Sequence, residues 1–381
     1  MVNSELTNDG GSRHSKLNEM MSMSENNCTD SKVITPKELG FYMPAEWAEH
    51  KATWLSYPHN EDSWPGKFET IFPSYHLFIK TLAEDEEVHI NVEGQEMQDY
   101  VAEALQKINA KMEHIFFHQF PTNDAWCRDH GPAFLLNRLD AAKRGMVNWN
   151  HNAWGGKYPY ELDTQIPVHI FIHLSQADKD LQLFEPNIVM EGGSIDVNGV
   201  GDLLTTTSCL LNPNRNPHLN KEQIEGYLRG YYGVENIIWL DEGIVGDDTD
   251  GHVDDLSRFI AEDTIITAVE ENIWDENYEA LQKNLKALNS CRLANGKQPN
   301  IVELPMPDMV FYDNQRLPAS YANFYIANNK VIFPTYRCLS DNEAAYTLEA
   351  CFPDREIIGI DSTDIVWGLG SFHCLSQQQP K

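Results

Sequence analysis

Cys374 stands seven residues from the end of a 381-residue chain, after Gly368-Leu369-Gly370-Ser371-Phe372-His373 and before Leu375-Ser376-Gln377-Gln378. Glycines permit a close backbone approach, and a thiolate is the strongest side-chain nucleophile near neutral pH. Taken alone, such a cysteine also reads as a buried structural thiol, so nucleophilic chemistry requires partners elsewhere. Two stretches offer them: Trp126-Cys127-Arg128-Asp129-His130-Gly131-Pro132 and Asp248-Thr249-Asp250-Gly251-His252-Val253-Asp254. His252, a surface or core histidine on its own, becomes the natural acid and base beside a thiol and two carboxylates. Asp129 to His252 spans 123 residues and His252 to Cys374 spans 122, so only separate elements pointing inward can join them. If 252–254 is extended, His252 and Asp254 project to the same side.

The elements that must do this positioning recur. After Asn187 a polar motif leads into strands at 194–197 and 203–211 around an Asn198-Gly199 turn, then a helix over 221–232 and a strand over 236–240. From His252 the same order returns, with strands at 256–261 and 264–269, a helix at 277–290 and a strand at 301–304. From Tyr321 it returns again: strands at 323–327 and 331–334, a helix at 341–351, a strand at 356–360. Module starts lie 65 and 69 residues apart, and alternation and turn chemistry define the elements. A repeat of this size implies units that cannot bury their faces alone. A less regular copy carries Asp129 and a strand at 133–136, and another uses 53–57, a helix over 69–82 and a strand at 88–92. The fold class is α+β with internal repeats.

Composition narrows the partners. With 28 basic and 58 acidic residues the net charge is −30, which disfavours nucleic-acid backbones and anionic lipid and favours small cations. At 41% apolar the chain supports one large core. Seven cysteines, at 28, 127, 209, 291, 338, 351 and 374, are widely spaced without a paired metal or redox motif, as expected of reduced thiols in a cytoplasmic protein. Residues 1–35 are polar and read as a disordered arm, and nothing approaches the ~20 apolar residues of a membrane span. A homo-oligomer is compatible with the sequence.

The order of motifs resembles the agmatine deiminase and bacterial (Porphyromonas-type) peptidylarginine deiminase family of the pentein superfamily. The resemblance runs from about Phe41 to Pro380 through Met43-Pro44-Ala45-Glu46, Thr53-Trp54-Leu55-Ser56-Tyr57-Pro58, Trp126 to Pro132, Asn152-Ala153-Trp154-Gly155-Gly156, Glu191-Gly192-Gly193, Asn212 to Pro217, Gly251-His252-Val253-Asp254, Ser320-Tyr321-Ala322-Asn323-Phe324-Tyr325 and the terminal His-Cys. It implies a closed five-bladed α/β propeller of hairpin-helix-strand modules around a central pocket, a single catalytic domain over 36–381. It also implies hydrolysis of a C–N bond in a guanidine. Carboxylates match a guanidinium fork bidentately, and Asp129 and Asp254 are the pair expected there. Cys374 would attack the central carbon, and His252 would protonate departing ammonia and then activate water, with a thiouronium between the two steps and no metal or other cofactor. Glu191, Trp126, Asp248 and Asn323 are further substrate-binding candidates, although Trp126 also reads as core and Asp248 as a solvated loop acid.

Residues 41–65 and 315–340 and the lack of a secretion signal resemble agmatine deiminases most, with peptidyl-arginine or free arginine as the alternative substrates. Arg128 is the single cation beside the inner motifs and is expected to point outward. The chain departs from the family's usual pattern at Leu369 and Ser371, where a glycine and an asparagine are usual, at Asp255 in place of asparagine, and at Thr207 in place of an acid. Two other classes remain: a metal-dependent hydrolase built on the run Asp247 to Asp255 with His252, and a non-catalytic protein with the same fold.

Overall fold

The computed structural model describes residues 34–381, and Pro36–Lys381 form one compact unit. Almost all of the arm expected over 1–35 lies outside the described residues.

Five sheets share one pattern, an antiparallel pair followed by a parallel strand. In three of them the strands are Ile195–Val197, Asp202–Thr206 and Asn236–Leu240; Ser257–Ala261, Thr264–Val269 and Asn300–Pro305; and Tyr325–Ile326, Lys330–Thr335 and Glu356–Asp361. A fourth orders Phe41–Tyr42, Ala133–Asn137, Arg144–Val147 and Gln182–Phe184. The fifth joins both ends of the unit: Ser376–Pro380 pairs antiparallel with His50–Ser56, which runs parallel to Glu87–Asn91, itself parallel to Ile115–His118. The expected closure is therefore made by backbone hydrogen bonds, with Ser376 opposite Leu55.

Parallel strands need a crossover, and helices provide it. Lys221–Tyr232 starts at a capping box, Asn220 with Gln223, and stops at Gly233 with φ +72°, the left-handed position that glycine occupies without penalty. Tyr278–Ser290 and Ser340–Cys351 fill the same role in the next two modules. One expected strand is shorter than its apolar run: 203–211 ends at Thr206, whose hydroxyl accepts from the Cys209 N–H and starts the helical turn Thr207–Leu210. A side-chain cap outcompetes strand continuation there.

The repeat delivers the chemistry. Each of the five hairpins is entered through a turn. Those turns are Cys127–His130, Gly192–Ser194, Val253–Asp255, the segment around Asn323, and the segment 372–375 that contains Cys374. Equivalent turns of equivalent modules thus carry Asp129, Gly193, Asp254, Asn323 and Cys374.

Candidate active site

The segment holding the thiol is fixed by its neighbours. Phe372 and Leu375 are fully buried, each contributing about 1.5–3 kcal/mol by burial, and the Phe372 ring packs against Phe78 at 4.8 Å between centroids. The Leu375 N–H donates to the Ser371 carbonyl at 3.0 Å, and the Arg128 N–H donates to the Cys374 carbonyl at 3.1 Å. Gly370 is required for a close approach, since a Cβ there would lie 2.6 Å from the Trp126 ring and 3.0 Å from Cys374 Cβ.

The thiol is 4% exposed. Asn323 Nδ2 donates to its Sγ at 3.1 Å, and the thiol faces Asp254 Oδ2 at 3.5 Å. Asn323 Oδ1 accepts from the backbone N–H groups of His373 and Cys374, and its amide also donates to Asp255 at 3.0 Å. Asn323 is therefore a clamp on the nucleophile's segment and does not line the cleft.

Asp129 accepts from the Gly193 N–H and from Trp154 Nε1, both at 2.9 Å. Trp154 itself stands at φ +55°, inside a turn in which Asn152 accepts from the Gly155 N–H. His252 is fully buried, with Nδ1 3.8 Å from Asp129 Oδ1 and 4.0 Å from Asp254 Oδ1. Neither of its ring nitrogens has a hydrogen-bond partner among the described residues, and neither does Asp254 Oδ1. The segment is not extended, because Val253–Asp255 is a 3-10 turn, yet the turn still leaves His252 and Asp254 on the same side of the site.

Charges follow from burial. The Cys374 thiol is pushed well above its ordinary value by burial and by Asp254, Asp255 and Asp129, against the Asn323 hydrogen bond. Burial drives His252 down to about 3, with Asp254 opposing and Arg215 assisting. Burial also raises Asp129 well above the carboxyl range, helped by Asp254 and Glu191. On Asp254 burial acts upward too, but the His373 hydrogen bond and charge outweigh it and hold the group below its usual value. The resting site thus holds a neutral thiol, a neutral imidazole and one firm carboxylate, where the sequence expectation has His252 protonated.

The sequence reading missed the group that sets Asp254. His373 bonds Asp254 Oδ2 through Nδ1 at 2.6 Å and Glu46 Oε2 through Nε2 at 2.8 Å. Glu46 also pairs with Arg258 at 2.9 Å and Arg128 at 3.1 Å. His373 and Glu46 both lie in motifs singled out above, so the signal was present without a role. Arg128, expected to face outward, is 2% exposed and points inward to Glu46 and Gln378, because its segment is a helical turn, Cys127–His130, and alternation does not apply. Nor is it the single cation near the inner motifs. Arg215 pairs with Glu191 at 2.5 Å and Asp250 at 2.6 Å, and Lys157 pairs with Asp248 and Asp250 at 3.2 Å each.

A cleft of about 570 Å³ opens onto Cys374, Asp129, Trp126, Trp154, Asp248 and Leu369. Glu191 is fully buried behind it, bound to Arg215. Of the four departures from the family pattern, only Leu369 reaches the cleft. The acidic run is engaged by protein donors: Asp247 accepts from the N–H groups of Thr249, Gly251 and His252, Asp248 from Tyr158, and Asp250 from Asn214 and Arg215. No helix among the described residues is long and apolar enough to cross a membrane.

The model of the Porphyromonas-type peptidyl-arginine deiminase family matches residues 42–380. The chain is 34% identical over 371 residues to the agmatine deiminase of Ectopseudomonas mendocina (strain ymp), covering 91% of this chain and 98% of that protein. Among solved structures, the agmatine deiminase of Enterococcus faecalis superposes with a TM-score of 0.84 at 31% identity, covering 91% of this chain and 98% of that one. A cysteine-to-serine variant of the C. jejuni agmatine deiminase with substrate bound superposes with a TM-score of 0.79 at 34% identity, covering 90% and 96%. On a match that spans nearly the whole compact unit, with the repeated hairpin-helix-strand fold of the pentein superfamily, this chain belongs to the Porphyromonas-type peptidyl-arginine deiminase family.

Proposed function

We infer that the protein hydrolyses agmatine to N-carbamoylputrescine and ammonia, feeding putrescine formation. The observation that carries the reading is the cleft's acidic lining: Glu61, Asp62, Glu93 and Asp248 line it, beside Asp124 and Asp163, whose carboxyls burial pushes upward, and no lysine or arginine lines it among the described residues. A molecule with a cation at each end fits such a lining. Free arginine adds a carboxylate that finds no cation there, and leaving a carboxylate unpaired on desolvation costs several kcal/mol.

The guanidinium plane is assigned to Asp129 and Asp254, with Trp126 and Trp154 as walls that tolerate a flat cation. Arrival of the cation favours both the Asp129 anion and the thiolate, reversing the effect of burial. Cys374 Sγ bonds to the central carbon as its proton passes to neutral His252. The imidazolium returns that proton to a terminal nitrogen, the C–N bond breaks and ammonia leaves. A cationic thiouronium remains on sulfur. His252 then takes one proton from water as the oxygen bonds to the same carbon; the C–S bond breaks as the remaining hydroxyl proton passes to sulfur, releasing the ureido product and the thiol, and His252 gives its proton to solvent. Orientation by fixed carboxylates supplies much of the rate.

Ammonia release is compared over agmatine, free arginine and a peptide ending in arginine, with and without a chelator. Agmatine should dominate, chelator should have no effect, and acid-quenched enzyme should carry an adduct on Cys374 by mass spectrometry. Cys374→Ser should bind agmatine and not turn it over. Equal efficiency on arginine or the peptide would leave only a general guanidine deiminase. An active serine variant without an adduct would remove the nucleophile assignment.

A further inference from the structure

Three histidines outside the cleft converge on one another. His89 lies on the strand Glu87–Asn91, His118 ends the neighbouring parallel strand Ile115–His118, and His173 sits in the last turn of the helix Ile166–Leu174. Each offers a ring nitrogen, and these three nitrogens lie within 4.8 Å of one another. Nδ1 of His89 and Nε2 of His118 are 2.7 Å apart, and the His118 and His173 rings are 4.5 Å apart between centroids. None of the three is used by the deiminase chemistry. We propose that His89, His118 and His173 form a binding site for a divalent transition cation, with Zn²⁺ as the committed occupant and one coordination position left to water.

The geometry suits that cation. Zn²⁺ is bound by imidazole at about 2.0–2.1 Å in tetrahedral sites, which places ligand nitrogens about 3.3 Å apart. The His89 and His118 rings need to part by about 0.6 Å to reach that spacing, and His173 stands half-buried at a helix end beside them. The outer nitrogen of His89 already has a partner, since Nε2 lies 3.5 Å from Glu87 Oε2. A carboxylate on the far nitrogen is the usual second contact of a metal-binding histidine and fixes its ring orientation. Trp54 stacks on His89 at 4.4 Å between centroids and walls the site on one side. Without a metal, the same atoms make an imidazole hydrogen bond inside an aromatic stack, and the experiment separates the two states.

The full chain is stripped with EDTA, equilibrated with ZnCl₂, freed of loose metal by gel filtration and assayed for zinc per chain, with affinity measured by competition. One zinc per chain is expected in the wild type and in Cys374→Ser, which sets the site apart from Cys374 and its carboxylates. His173→Gln should lose it while its circular dichroism and ammonia release stay unchanged. Glu87→Gln, at a side chain 39% exposed and therefore safe for folding, should weaken the affinity roughly 10- to 100-fold. The Co²⁺-loaded protein should show tetrahedral ligand-field bands without a thiolate charge-transfer band. No zinc retained by the wild type, zinc lost in Cys374→Ser, or zinc held undiminished by both His173→Gln and Glu87→Gln would overturn the proposal. Gain or loss of zinc at the histidines leaves the deiminase reading untouched, since that reading is tested by turnover and by the adduct on Cys374.

Discussion

Gly193→Ala tests the arrangement of the whole site with one methyl group. A Cβ at Gly193 would lie 2.6 Å from His252 Nδ1, 2.9 Å from Asp129 Oδ1 and 3.0 Å from Asp254 Oδ2. Ordinary contact starts at 3.4 Å, so the three groups must retreat by about 0.8, 0.5 and 0.4 Å, in a packed interior that relaxes only partly. Gly193 is not among the residues at positive φ, so alanine brings no backbone penalty and the cost falls on the side chains. It also weakens the hydrogen bond by which the Gly193 N–H orients Asp129. Overpacking of this kind costs about 1–3 kcal/mol of stability, whereas a displacement approaching 1 Å at the reacting groups costs about 100-fold in rate. The assay is steady-state ammonia release with agmatine alongside a thermal melt. A kcat/KM at least ~100-fold lower in a protein that still melts cooperatively is expected. Activity within about threefold of wild type would mean that His252, Asp129 and Asp254 do not enclose the reacting carbon. Gly192→Ala is the contrast, since its Cβ would meet the Arg128 carbonyl at 2.2 Å, and it should unfold the protein.

Agmatine affinity in Cys374→Ser should tighten as pH rises: the bound cation expels the proton that burial keeps on Asp129, so binding weakens by up to about tenfold per unit below that group's raised value. An ordinary carboxyl near 3.9 would leave the affinity flat from pH 5 upward, and a flat profile by calorimetry would refute the raised Asp129. Agmatine should exceed free arginine by at least ~100-fold in kcat/KM, about 2.7 kcal/mol of discrimination. Asp248→Asn should shrink that ratio, though by less than about tenfold, because Lys157 and Tyr158 already hold the carboxylate; no change in the ratio would remove Asp248 from the tail site. Leu369 stands at φ +72°, where a side chain costs roughly 1–2 kcal/mol. Urea denaturation should therefore find Leu369→Gly about 1 kcal/mol more stable than Leu369→Ala, and the reverse order would refute the strained turn.

Much of the module architecture was readable because period and turn chemistry are local. The helix over 221–232 and the strands over 236–240 and 264–269 agree with the observed bounds to the residue, since a capping box, a terminal glycine and apolar runs act within a few positions. The errors arose where a side chain or a turn overrode the pattern. Thr206 capped a strand early, and the helical turn at Cys127–His130 carried Arg128 inward against the alternation rule.

Residue types, motifs and their order along the chain are written in the sequence: Cys374, His252, Asp129 and Asp254 stand in motifs spread over separate modules of the repeat. What those residues are electrically is set by packing between modules. Whether His252 is an imidazole or an imidazolium, and whether Asp129 keeps its proton while Asp254 gives it up, depends on desolvation and on charges brought from other modules. The same holds for the chain from Asp254 through His373 to Glu46 and its two arginines, whose members are up to 327 residues apart in sequence. Electrostatic free energy depends on distance and burial in space, and neither is a property of spacing along the chain.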